Sequence, residues 1–114
     1  MAFRLNTVDR LQQYLFGVSE RASHHAQNIS QVILTLAGAI VLYKDSGTYL
    51  EARTYRGEPA NVVYMTINSN RYAFSYEHES QSVVIKRNSV RGATIGSFNN
   101  NSTPDFVINT LSRL

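Results

Sequence analysis

Residues 19–45, SERASHHAQNISQVILTLAGAIVLYKD, decide the fold, because they join a polar segment with two adjacent histidines to the longest apolar run in the chain. From residue 8 to residue 36 the apolar positions recur at spacings of three, four or seven, which is typical of one face of a helix. This stripe continues across Gly17, so the sequence predicts one long helix with its N-cap at Asn6 or Thr7. Gly38 is expected to end the helix, and the following AIVLYK is predicted to be a buried strand.

The second half of the chain has the pattern of an antiparallel meander. KDSG, at residues 44–47, predicts a hairpin turn into the strand TYLEARTYR, and RGEPAN, at residues 56–61, predicts a loop. Short β-rich segments separated by polar turns follow: VVYMTI, RYAFSYE, SVVIKR and GATIGSF. Together with the first two strands, these segments predict an antiparallel sheet of about five or six strands.

The C-terminal segment STPDFVINTLSRL has the signals of a short helix. Thr103 is placed to be its N-cap, Pro104 its first residue, and Asp105 lies in the first turn, where its charge favours the helix dipole. Its apolar side chains, among them Phe106 and Leu111, are expected to pack inward. The predicted fold class is α+β: one domain over residues 1–114, with a long N-terminal helix packed on the sheet and a short C-terminal helix.

Composition and charge exclude several classes of site. The chain has 114 residues and no cysteine, so it has neither disulfides nor thiolate metal sites. The N-terminus lacks the apolar segment of a secretory signal, and the apolar run at residues 32–43 is shorter than the roughly 20 residues that cross a bilayer. We therefore expect a cytoplasmic protein with no membrane segment. The net charge is +3, but the eleven lysines and arginines are scattered along the chain, which does not indicate a nucleic-acid footprint.

The histidine pair has two interpretations. His25 continues the apolar stripe and points inward, while His24 shares a row with Glu20 and Asn28 at four-residue spacing, so both fit a packed helix with a polar flank. Alternatively, these four residues form a polar pocket. That candidate pocket would be completed by the strand-end residues Glu77, His78 and Glu79.

Metal binding by this candidate pocket is not favoured. Adjacent helical histidines diverge by about 100°, so they do not ligate one ion as a pair four residues apart would. The sequence therefore predicts no metal site and no cofactor.

An aromatic row in RYAFSYE also has two interpretations. Tyr72, Phe74 and Tyr76 alternate onto one face of the strand, which is typical of a core face beneath a helix. Alternatively, with the nearby Lys86 and Arg87, these rings form a binding surface on which single-stranded nucleic acid stacks. We expect the core face, and therefore no nucleic-acid partner.

Three motifs resemble one group of proteins. GVSERASHHAQNISQVILTLAGAIV at residues 17–41, RYAFSYEHES at residues 71–80 and SFNNNSTP at residues 97–104 are similar to small bacterial proteins encoded by mobile integron gene cassettes. The resemblance implies a bacterial, cytoplasmic accessory protein in which the histidine pair belongs to a recurring motif. It implies no catalytic or binding residue.

These patterns favour a non-enzymatic binding or interaction module. The chain has seven tyrosines, and tyrosine rings suit interfaces. The apolar stripe is also larger than one small sheet can cover, so we expect a homo-oligomer, preferably a dimer. A protein or a small molecule is expected to bind at the helix–sheet surface. The alternatives are a small metal-dependent or hydrolase-like enzyme that uses the histidine cluster, and a weak single-stranded nucleic-acid binder.

Overall fold

In the computed structural model, residues 2–24, 26–55 and 58–114 are described, and their side chains are described except at positions 2, 3, 21, 23, 24, 54, 55 and 58–61. The elements of these residues, in chain order, are β1 Ala2–Arg4, α1 Val8–His24, α2 Val32–Tyr43, β2 Glu51–Tyr55, β3 Glu58–Ile67, β4 Asn70–Glu77, β5 Ser82–Arg87, β6 Thr94–Phe98 and α3 Pro104–Ser112. The α+β fold class is confirmed.

The strands form one antiparallel sheet in which each strand pairs with the next one along the chain, from β1 to β6. Short connections join β3 to β4, β4 to β5 and β5 to β6, at the polar segments NSN, HESQ and NSVR that the sequence predicts as turns. β1, at the N-terminal edge, was not predicted, and the predicted loop RGEPAN includes residues that already belong to β3.

The two faces of the sheet have different surroundings. One row across the inner face pairs Val63 with Phe74 and Phe74 with Ile85, and the next row pairs Tyr76 with Val83 and Val83 with Phe98. Most of these side chains are buried, and all except Tyr76 and Val63 are less than a tenth exposed. They pack beneath residues of all three helices, so the core lies between one helical layer and the inner face of the sheet.

The prediction of one long helix is wrong beyond residue 24. Helix α1 passes through Gly17 as expected, but it ends at His24, and α2 begins only at Val32. In the connection, Asn28 has a φ of 67°, a left-handed conformation that no helix contains. The new helix is capped from a distant part of the chain, because the Asn100 side-chain oxygen accepts hydrogen bonds from the backbone N–H groups of Gln31 at 2.8 Å and Val32 at 3.0 Å.

The predicted strand AIVLYK is also wrong, since most of it belongs to α2. Gly38 lies inside this helix, where a side chain would meet open space, so the helix continues past it. The turn predicted at KDSG is present but joins a helix to a strand and not two strands. Thr48 donates from its backbone N–H and its hydroxyl to the Asp45 carbonyl, at 3.2 and 2.6 Å, and Gly47 has a φ of 80°.

The C-terminal helix forms as predicted. The Thr103 hydroxyl accepts a hydrogen bond from the Phe106 N–H at 3.1 Å, and Pro104 is the first helical residue. Leu111 and Val107 are completely buried, whereas Phe106 is 48% exposed and only one side of its ring packs inward, against Phe98 with ring centroids 5.6 Å apart. Among the described helices, none is long and apolar enough to cross a membrane.

Candidate functional site

An apolar cavity lies between α1, α2 and the inner face of the sheet; we call it the inter-layer cavity. Its volume is about 120 Å³. The helices contribute Leu11, Tyr14, Val18, Ile33, Leu36 and Ala37 among others, and the sheet contributes Val63, Phe74, Tyr76 and Val83. Hydrocarbon and tyrosine side chains dominate this lining, so the cavity has the character of a site for an apolar molecule.

The cavity exists because the apolar side chains of α1 do not fill the space between this helix, α2 and the sheet. Tyr14 is buried on α1, while Ala26 follows the end of that helix and exposes only a methyl group to the cavity. Ala37 does the same on α2. Since small side chains stand where larger ones would complete the packing, a space remains between the layers.

Hydrogen bonds at the edge of the cavity connect the segment between α1 and α2 with the sheet. The Tyr76 hydroxyl donates to the Gln27 carbonyl at 3.0 Å, and the side-chain amide of Gln81 donates to that of Gln27 at 3.5 Å. Asn28 is held from the other side, because its carbonyl accepts a hydrogen bond from the Asn100 N–H at 2.7 Å. The connection between the helices is therefore anchored to both β4 and the loop before α3.

The residues of the predicted histidine pocket belong to α1 and the segment after it, and to the end of β4 and the turn after it. His78 and Glu79 are exposed in the turn after β4, and the His78 ring contacts the edge of the Tyr76 ring with centroids 4.8 Å apart. Glu77 is half-buried at the end of β4, and Glu20 is exposed on α1.

The segments that carry several of these residues meet through neighbouring side chains, and no contact joins two of the predicted pocket residues that the structure describes. The turn of residues 78–81 meets the segment of residues 26–28 through Gln27, next to Asn28. The side chain of His24 and all of His25 lie outside the described residues. In the part of the chain that is described, no three histidine, aspartate or glutamate side chains are grouped so as to hold a metal ion.

The predicted aromatic binding surface is part of the core. Tyr72 and Phe74 are 2% and 4% exposed, so their rings are covered, and Tyr76 is half-buried at the cavity. Lys86 lies on the other face of the sheet, opposite Ala73. Arg87 remains near Tyr72, with its Cζ atom 5.9 Å from the ring centroid. These five residues therefore do not form one exposed surface.

Sequence reasoning missed a cluster of arginines and tyrosines on the outer face. The Cζ atoms of Arg71 and Arg53 lie 4.0 and 5.2 Å from the centroid of the Tyr64 ring, and that of Arg4 lies 4.6 Å from Tyr49. The alternation of RYAFSYE places Arg71 on the face opposite the aromatic row, so the sequence does indicate that this arginine lies on the outer face. The other members are far apart in the sequence, and only strand pairing brings them together.

The fold and these surfaces can be set beside known proteins. A comparison with curated proteins finds no match. Residues 11–108, which include most of α1, all of α2, five of the strands and half of α3, match the family described as "Integron cassette protein VCH_CASS1 chain". The chain therefore belongs to this family of integron cassette proteins.

Proposed function

We propose that this integron cassette protein is a non-enzymatic cytoplasmic binding module that holds a small apolar molecule in the inter-layer cavity. The observation that carries the proposal is the cavity itself, with a volume of about 120 Å³ and a lining of hydrocarbon and tyrosine side chains. Apolar cavities of about 150 Å³ stay dry and bind molecules the size of benzene. A molecule of that class fits the volume and the polarity of this site.

The energetics support a binding role. An unfilled enclosed cavity costs a protein about 24 cal/mol for each Å³, so a partly open cavity of this volume costs at most about 3 kcal/mol. A larger side chain at Ala37 would remove that cost without disturbing helix α2, because leucine is also a good helix former. A ligand that fills the cavity recovers the same packing energy, so occupancy stabilises the fold by mass action.

Thermal denaturation with benzene, toluene and indole tests this proposal. At least one of these probes should raise the melting temperature of the wild type, by an amount that grows with its concentration. Ala37→Leu should raise the melting temperature without a probe and abolish the response to all three. Val90→Leu, which enlarges a 40% exposed side chain outside both the cavity and helix α2, is the matched control and should respond as the wild type does. An unresponsive wild type, or an Ala37→Leu variant that still responds, would refute the proposal.

The outer side of α2 favours a second function, self-association. This helix has twelve residues and none is charged, a composition typical of a helix that is buried on all sides. Leu34, Val41 and Leu42 are nevertheless 61%, 45% and 70% exposed. These three residues and Gly38 lie on one side of the helix, at spacings of three and four, and the glycine permits a second backbone to approach closely. We propose that two copies of the chain pack these faces against each other in a symmetric dimer.

Sedimentation equilibrium tests the dimer. The wild type should sediment as a dimer at high concentration, whereas Leu42→Glu should be monomeric, because a charge would be buried without a partner. Phe16→Glu introduces the same charge at a 68% exposed position of α1 and should leave the dimer intact. If the wild type is monomeric throughout, or if Leu42→Glu dimerises as strongly, the proposal is wrong.

A further inference from the structure

The outer face of the sheet carries a row of side chains with one cation on β1, a second on β5 and Thr94 beyond it on β6. Arg4 pairs with Glu51, Glu51 with Tyr64, Tyr64 with Ala73 and Ala73 with Lys86. Directly paired residues share a face, so these five residues cross five strands side by side. Adjacent strands are about 4.8 Å apart, which separates the backbones of Arg4 and Lys86 by about 19 Å.

Two further arginines flank the centre of this row. Arg53 and Arg71 reach the same Tyr64 ring from the neighbouring strands β2 and β4, with Cζ atoms 5.2 and 4.0 Å from its centroid. Tyr64 is only 8% exposed, while both arginines are exposed. The ring therefore supports the guanidinium groups from below and restricts their motion, which reduces the entropy lost when they bind a ligand.

The charge of this surface is mainly positive. Four cations, at Arg4, Arg53, Arg71 and Lys86, surround a single described carboxylate, that of Glu51. Glu77, the acidic residue of β4, lies six residues from Arg71, about 20 Å away along the strand. Charges spread over such a distance match an extended polyanion better than one phosphate group.

The side chains around these cations favour nucleic acid among polyanions. Guanidinium planes and exposed tyrosine rings offer stacking surfaces for unpaired bases, and Tyr49, beneath Arg4, is 49% exposed. A membrane-binding face would add protruding aliphatic side chains. In the described part of the chain, the strongly exposed aliphatic residues lie on the helices or, for Val90, in the turn between β5 and β6.

We propose that the outer face of the sheet binds single-stranded nucleic acid, with phosphates on Arg4, Arg53, Arg71 and Lys86 and a base stacked on Tyr49. This surface lies on the opposite face of the sheet from the inter-layer cavity, so it is independent of the binding function proposed there. It shares only Lys86 with the nucleic-acid surface considered from the sequence.

Fluorescence anisotropy with a labelled oligothymidylate tests this proposal. The four cations predict a slope of about −2.8 for log K against log salt, measured between about 50 mM and 200 mM. The double variant Arg53→Gln/Arg71→Gln should halve this slope to about −1.4, which corresponds to about 25-fold weaker binding at 0.1 M salt. Tyr49→Ala should weaken binding about 5- to 150-fold without changing the slope, because stacking is not electrostatic.

The matched control is Arg113→Gln, which removes the same charge from an exposed position after α3, in the helical layer. This variant should bind about as tightly as the wild type, and circular dichroism should show that every variant is folded. The proposal is overturned if the double variant binds as tightly as Arg113→Gln. It is also overturned if polyglutamate or vesicles containing phosphatidylserine bind as tightly as the oligonucleotide, since the surface would then be selective for another class of partner.

Discussion

The N-terminus of α2 depends on one distant side chain, so Asn100→Ala should destabilise the protein far more than its surface position suggests. The Asn100 oxygen accepts hydrogen bonds from the N–H groups of Gln31 and Val32, at 2.8 and 3.0 Å. Loss of an N-cap side chain costs about 1 kcal/mol. The Val32 N–H is part-buried and is left without an acceptor, which adds about 1 kcal/mol, whereas water replaces the acceptor of the exposed Gln31 N–H.

The expected loss is therefore about 2 kcal/mol in the free energy of unfolding. A chain of 114 residues has an unfolding entropy of about 0.24 kcal/mol/K, so the melting temperature should fall by about 8 °C. Thermal denaturation followed by circular dichroism measures the shift, and urea denaturation measures the free energy.

Two variants isolate the cap. Asn100→Asp keeps an acceptor and places a negative charge at the helix N-terminus, so it should be at least as stable as the wild type. Asn101→Ala changes an exposed neighbour in the same loop and should cost less than about 0.5 kcal/mol. If Asn100→Ala is no less stable than Asn101→Ala, the cap does not define the start of α2 and this reasoning is wrong.

Urea denaturation checks three further predictions. Gly92→Ala should cost about 1–3 kcal/mol, because its Cβ atom would lie 1.8 Å from the Arg87 carbonyl oxygen, whereas Gly17→Ala, in open space within α1, should stabilise by about 0.5–1 kcal/mol; equal effects would contradict this. Leu111→Ala should cost about 2–5 kcal/mol, since Leu111 is completely buried, and a cost below 1 kcal/mol would mean that α3 does not complete the core. Thr103→Ala should cost about 1 kcal/mol and Thr103→Ser almost nothing; an equally harmful serine would exclude the hydroxyl cap.

Local signals predicted the elements whose determinants are local. The cap of α3 lies within four residues, Thr103 to Phe106, and the alternation of β4 gave its inner face correctly. The break after α1 could not be predicted in the same way, because the acceptor for Gln31 and Val32 is almost seventy residues away. Periodicity also failed at residues 39–44, since an apolar run without polar interruptions fits a buried strand as well as a buried helix.

The surfaces proposed for binding depend even more on long-range pairing. The aromatic row of RYAFSYE was visible in the sequence because one strand contains it, and the structure places most of it in the core. The four cations of the outer face come from four different strands, β1, β2, β4 and β5. No single strand of the sequence therefore reveals the cluster. Basic residues that are scattered along the sequence can still form a patch, because a meander brings distant strands into one row.

Helix α2 takes part in both functions proposed for the helical layer, and its geometry makes them separable. Successive residues of a helix are rotated by about 100°, so Ile33 and Leu36 line the cavity while Leu34 and Leu42 are exposed on another side. Leu42→Glu therefore breaks the proposed dimer without touching the cavity lining, and Ala37→Leu fills the cavity without changing the exposed apolar side chains. If both variants lost both properties, the two sides of α2 would form one site, and ligand binding would require the second copy of the chain.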